Sequence, residues 1–261
     1  APPPLRAPTP RRLLPPPARC PRPCPRRTPA CIPLARKHYE HYASARVTLG
    51  VRIDPRQPED TLPDAVFVED VAIVLDEIAI VTTPGARSRV PEAESMARAV
   101  GKYRPVKRFT SPATLDGGDV IRIGKTIYVG LSSRTNAAGL DQLGALVSPL
   151  GYTVLGVEVE GALHLKTACT YAGKGILLAN PEWAATNIFR DVEILGVDET
   201  EPWGGSVLAI GEKLVMAAGF PRTRARLEAR GLTVVSVDLS ELQKAEGGPT
   251  CLSIVFDTPD V

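Results

Sequence analysis

The 261-residue chain is 44% apolar and 23% charged, the composition of a folded globular protein long enough for one large domain or two small ones. Aromatic residues make up only 5%, which argues against a stacking platform for single-stranded nucleic acid, and no apolar run of about 18 residues is present to form a transmembrane helix. The net charge of +2 hides an asymmetry: residues 1–37 hold nine Lys or Arg and no Asp or Glu, leaving the remainder at −7, an acidic body that suits a cationic ligand better than nucleic acid.

Residues 1–33 contain about half of all the prolines together with many arginines. Proline lacks a backbone donor, so this stretch cannot keep a hydrogen-bond ladder and reads as a disordered basic tail. It has neither the serine-rich amphipathic pattern of a transit peptide nor the apolar stretch of a secretory signal. A shifted reading frame is the other reading of the same segment. Residues 34–261 are expected to form a single domain. Five cysteines, Cys20, Cys24, Cys31, Cys169 and Cys251, do not suggest a disulfide framework in a chain of this size. Cys20 and Cys24 have no following Cys/His pair to complete a metal site, so no metal is expected and a reducing, cytoplasmic setting is.

The body opens with a helix predicted over 34–49 and ended by Gly50. A repeating pattern follows, in which two short β-rich runs flank a tight polar turn and lead to a helix and one further strand. The first unit is 71–75, 78–82, helix 92–100 and strand 106–109. The second is 120–123, 126–129, helix 136–150 and strand 153–159. The third is 167–171, 175–179, a short helix at 184–189 and strand 191–195. The fourth is 206–210, 213–217, helix 221–230 and strand 233–238. A last strand is predicted at 251–257. Four units of similar length point to a radial α/β arrangement, with the N-terminal helix and C-terminal strand left to make a fifth. Ordinary α/β layering is the alternative.

Candidate chemistry sits in four places. Asp64, Glu69 and Asp70 surround a strand-like run, which also suits a strand edge meeting solvent. Asp116-Gly117-Gly118-Asp119 allows close approach of a ligand to the backbone, or a simple turn. His164 lies among apolar neighbours, as a structural histidine would. Cys251 follows a Gly-Gly-Pro-Thr loop, either as an inert core residue or as a thiolate at the mouth of a site.

Together, the order acid–Gly–Gly–Asp, His and C-terminal Cys resembles the guanidine-modifying enzymes: arginine deiminases, amidinotransferases and dimethylarginine dimethylaminohydrolases. The segments FVED, LDGGDV, VGLSSRTN, LHLK and EGGPTCLS, in this order and at this length, resemble the last of these families over roughly residues 34–257. The resemblance implies a five-bladed ββαβ propeller. It also implies Cys251 as nucleophile, His164 as acid/base and Asp116 as its partner, with Asp119 the alternative acid. Glu69 and Asp70 would face the substrate guanidinium, Arg89 and Arg134 the α-carboxylate, and Asp64 the α-amine, while the Ala245 carbonyl would assist. Arg89, in a loop-like run, is otherwise a surface arginine.

The implied reaction is hydrolysis of a methylated arginine to citrulline and a methylamine. No cofactor or metal is expected, and neither nucleic acid nor membrane is an expected partner; a homodimer is left open. Arginine deimination on the same scaffold, an inactive amino-acid binder and a tail-borne nucleic-acid binder are the alternatives. The family's opening strand and its apolar lid residue are not readable in 1–33. The strand carrying Cys251 is therefore expected to lack an edge partner.

Overall fold

The computed structural model describes residues 29–258; the predicted tail, with Cys20 and Cys24, lies almost wholly outside the described residues. Helix α1 spans Ile32–Thr48, with proline in its first turn and Arg46 in its last, and Gly50 takes a positive φ of 89° just beyond it.

Four three-stranded sheets follow, each a hairpin plus a third strand parallel to the second. The first contains β1 (Ala72–Val74), β2 (Ala79–Val81) and β3 (Val106–Arg108). Helix α2 (Glu92–Val100) makes its crossover, with Glu92 and Glu94 at the positive end and Arg98 at the negative end. The second sheet contains β4 (Val120–Ile123), β5 (Thr126–Leu131) and β6 (Thr153–Glu158), crossed by α3 (Ala137–Val147). Asn136 caps α3 by accepting the Gly139 N–H at 2.8 Å. The predicted helix stops short of residue 150 because Pro149 tightens its end into a 3-10 turn at Ser148–Leu150.

In the third unit a one-turn helix α4 (Leu165–Ala168) occupies the start of the predicted strand, so β7 begins only at Cys169 and runs to Gly173. Strands β8 (Ile176–Ala179) and β9 (Glu193–Gly196) complete that sheet. Its expected short helix is a 3-10 turn at Thr186–Ile188. The fourth sheet contains β10 (Val207–Ile210), β11 (Lys213–Ala217) and β12 (Thr233–Val237), crossed by α5 (Pro221–Glu228).

Each sheet buries apolar faces against the next. Ile73 and Ile80 meet Val120 and Ile127; Ile121 and Tyr128 meet Leu165 and Leu177; Leu178 and Leu195 meet Val207 and Leu214. This consecutive packing is the α/β propeller expected from the repeat. Its fifth position is filled by α1, the short helix α6 (Ser240–Gln243) and the C-terminal run. Tyr42 of α1 shares one buried cluster with Val215 and Val237 of the fourth sheet and with Phe67 and Leu252.

The predicted strand at 251–257 does not form. A strand needs a ladder partner, and none lies beside this run among the described residues. Its backbone is instead pinned locally. The Tyr42 hydroxyl donates to the Pro249 carbonyl at 2.6 Å and bonds the Ser253 hydroxyl at 2.8 Å, while the Glu69 N–H donates to the Cys251 carbonyl at 3.2 Å. Replacing Tyr42 with Phe strips these buried groups of a partner. The expected cost is about 1–3 kcal/mol, measured by urea unfolding. A change within error would show that Tyr42 does not hold this run.

Candidate active site

The segments preceding the first strands of the four hairpins come together: Gly118, His164 and Ser206 line one cavity, and Gly117 abuts Glu69. Val68–Val71 form a 3-10 turn that buries Glu69 and Asp70. Gly117–Asp119 form another directly alongside. The approach is so close that a Cβ on Gly117 would lie 2.0 Å from the Glu69 carbonyl oxygen, and one on Gly118 would lie 2.9 Å from the His164 ring and 2.7 Å from Asp70 Oδ1. The two glycines are therefore required by contact with the neighbouring unit, not by a turn alone.

Asp116 is fully buried, and its Oδ2 bonds His164 Nε2 at 2.9 Å. Its Oδ1 accepts the Gly85 N–H at 2.8 Å, and Arg134 Nη1 approaches Oδ2 at 3.7 Å. On the other side of the ring, His164 Nδ1 lies 4.0 Å from Asp70 Oδ1. Burial opposes protonation of the imidazole. The hydrogen bond to Asp116 and the charges of Asp70, Asp119 and Asp116 outweigh it and push His164 up to about 9.

Asp119 faces away from the ring nitrogens. It accepts from Ser132 Oγ at 2.6 Å, Thr135 Oγ1 at 2.7 Å and the Leu165 N–H at 2.8 Å, clamping the chain just after His164 to the second unit. Of the two acids in the Asp-Gly-Gly-Asp run, Asp116 is the one hydrogen-bonded to the histidine.

Cys251 and His164 line one cavity of about 390 Å³, together with Gly118, Lys166, Trp203 and Phe220. The sulfur accepts the Gly248 N–H at 3.4 Å. Burial first, then the charges of Glu69 and Asp70, push its thiol up to about 12. Glu69 is itself raised by burial, against the pull of Lys166, whose ammonium bonds its Oε1. The other oxygen, Oε2, is buried and has no partner at hydrogen-bond geometry among the described residues, with the Thr250 side chain near enough to hold the carboxyl down. Lys166 is not marked by any motif of its own; its one signal in the sequence is its place two positions after His164 in the LHLK segment.

The remaining candidates are dispersed. Arg89 is not a surface residue: it is 4% exposed, and its donors are taken by Asp70, by Glu92 at 2.8 and 3.0 Å, and by the Phe67 and Asp64 carbonyls at 2.8 and 3.1 Å. It can meet a carboxylate only by giving up one of these partners. Asp64 and Ala245 line a neighbouring, larger groove instead of the cavity holding Cys251. Asp70, Asp116 and His164 bring three potential metal-ligating atoms within 4.8 Å of one another, but His164 and Asp116 already bond each other and Asp70 bonds Arg89. No described helix is long and apolar enough to cross a membrane.

The chain matches no family model. It is 36% identical over 224 residues to a dimethylarginine dimethylaminohydrolase of Pseudomonas aeruginosa, covering 85% of this chain and 88% of the relative. It is 41% identical over 223 residues to the Streptomyces coelicolor protein of the same name, covering 85% of each. The structure of the Pseudomonas aeruginosa enzyme, as a cysteine-to-serine variant in complex with citrulline, superposes with a TM-score of 0.80 at 34% identity, covering 85% of this chain and 88% of that one. Sequence identity of this extent, sustained along the same propeller, shows that the chain belongs to the dimethylarginine dimethylaminohydrolase family.

Proposed function

We propose that this protein hydrolyses Nω-methylated arginine to citrulline and a methylamine, with Cys251 as nucleophile and the His164–Asp116 pair as acid and base. The observation that carries the reading is the shared cavity: Cys251 and His164 face it together, beside the buried carboxylates of Glu69 and Asp70. A guanidinium is a planar cation, and the buried carboxylates of Glu69 and Asp70, which act on the Cys251 thiol, offer it charge-assisted hydrogen bonds. The relatives' name and the citrulline found in the Pseudomonas aeruginosa enzyme agree with this chemistry.

Glu69 and Asp70 raise the Cys251 thiol, so a cation seated beside them cancels that part of the shift and favours ionisation. The thiolate then attacks the guanidinium carbon. His164, protonated at neutral pH, gives its proton to the departing amine as the C–N bond breaks and a thiouronium forms. The neutral imidazole next takes a proton from water, whose oxygen adds to the same carbon. Loss of sulfur completes citrulline and returns the thiolate. Asp116 holds the ring in the orientation both transfers need.

Arg134, and Arg89 after exchanging a partner, are our candidates for the α-carboxylate. Asp64 and the Ala245 carbonyl are those for the α-amine. We treat residues 34–261 as one catalytic unit. A nucleophile that must stay reduced supports a reducing, cytoplasmic setting.

The test is citrulline formation from asymmetric dimethylarginine, monomethylarginine and arginine. Turnover of the methylated substrates is expected to exceed that of arginine; the reverse would make the chain a deiminase, and none at all would sink the reading. A second measurement concerns the empty site. Alkylation of Cys251 by iodoacetamide should keep rising with pH up to 10, because the thiol stays protonated up to about 12. A plateau below pH 8 would contradict the high thiol pKa.

A further inference from the structure

The cavity beside Cys251 has a wall that hydrolysis of a methylated guanidinium does not use. Trp203 leaves 40% of its surface exposed and lines this cavity with Phe220. Both aromatic residues are held in place by one clasp. Glu201, 8% exposed, accepts the Arg222 N–H at 2.9 Å and the Thr223 N–H at 2.7 Å, so its carboxylate caps the first turn of α5 directly after Phe220. The Gly204 N–H returns to the Glu201 carbonyl at 2.9 Å, closing the turn that presents Trp203. Trp183 braces the indole edge-on with ring centroids 4.6 Å apart. Trp183 is in turn packed against Gly161, where a Cβ would lie 3.0 Å from its ring. This is a preformed apolar surface, not a side chain left over at the rim.

Its position relative to the chemistry gives it a role. The proton donor must sit at the departing nitrogen, so that nitrogen lies on the His164 side of the reacting carbon. His164, Trp203 and Phe220 line the same cavity, whereas Asp64, Arg89 and Arg134, the candidates for the amino-acid end, do not. Substituents on the departing nitrogen therefore project towards the aromatic wall, into a space of about 390 Å³.

We infer that Trp203 and Phe220 form a subsite for the departing amine, and that the protein hydrolyses guanidines carrying apolar Nω-substituents larger than methyl, such as Nω-propyl- or Nω-benzyl-L-arginine. The inference rests on the hydrolytic reading above. The step balances as before: the C–N bond to the alkylamine breaks, His164 supplies the amine's proton, and water supplies the oxygen of citrulline.

The experiment compares kcat/KM for asymmetric dimethylarginine and Nω-propyl-L-arginine, followed by citrulline and the released amine, in the wild type, Trp203→Ala and Trp203→Phe. Wild type should turn over the propyl substrate within about tenfold of dimethylarginine. Trp203→Ala should lower the propyl-to-dimethyl ratio by about tenfold, the scale of lost apolar contact in a pocket, and Trp203→Phe should restore part of it. A wild type active on dimethylarginine and inert on the propyl substrate overturns the subsite and leaves the function standing. So does a ratio that Trp203→Ala leaves unmoved. Citrulline from neither substrate overturns the subsite together with the function beneath it.

Discussion

Replacing Cys251 with Ser is expected to lower citrulline formation by on the order of 10⁴-fold or more, because Cys251 is the one thiol among the described residues lining the cavity and a hydroxyl is a far poorer nucleophile towards the guanidinium carbon. A hydroxyl is similar in size, so the sulfur's contact with the Gly248 N–H has a close substitute and the fold should persist with an unchanged melting temperature. In the wild type, rapid quenching during turnover should yield protein heavier by the substrate less the departed methylamine, mapped to the peptide containing Cys251. The variant should carry no such adduct. Activity within tenfold of wild type, or an adduct on Cys169, would remove Cys251 as nucleophile. Cys169 is the informative control: it is fully buried, and burial alone raises its thiol well above the ordinary range.

The second large effect is expected at the acid. His164→Gln should cost 10²–10⁴-fold, the usual contribution of a positioned proton donor. Asp116→Asn tests the pairing more sharply. In the wild type His164 is raised to about 9, so the acid form dominates at neutral pH, and at saturating substrate, where the bound cation favours the thiolate, kcat should fall as pH rises through about 9. Removing the Asp116 charge takes away a cause of that elevation, and the alkaline limb should move to lower pH with a reduced maximum. A profile of unchanged shape would mean that another group sets it. The same linkage acts on stability: the pair's contribution is fully present below the unfolded histidine value near 6.5 and is lost as pH rises through about 9. Unfolding between pH 6 and 10 should follow that direction in the wild type and flatten in Asp116→Asn.

Much of this molecule is legible from residue order. The alternating β-rich runs, their Gly and acidic turns and the amphipathic stretches between them define four hairpin–crossover units, and strands β4 and β11 fall on the predicted residues. These signals are local: side-chain periodicity and turn chemistry act within a few residues, so they survive without knowledge of neighbours. The irregularities at the site were not local. The turn of helix after His164 depends on Asp119 taking the Leu165 N–H from another unit, and the missing ladder at 251–257 depends on a partner strand. No window of sequence contains either fact.

The same division holds for the site. Sequence alone offered the candidates for the chemistry, since a Gly-flanked acid, a histidine beyond the N-terminal helix and a C-terminal cysteine, in that order, are few and distinctive. Only the tertiary structure decided their partners. It chose Asp116 over Asp119 by aiming one carboxylate at the ring and the other at three structural donors. It turned Arg89 inward, because the buried carboxylates of Asp70 and Glu92 demand a charged partner more strongly than solvent offers one. It set Trp203 beside Cys251, 48 positions away in the chain. Hydrogen bonds and buried charges are satisfied across units, by whatever the fold brings within a few ångströms, and that proximity is a property of the closed propeller and not of the order of residues.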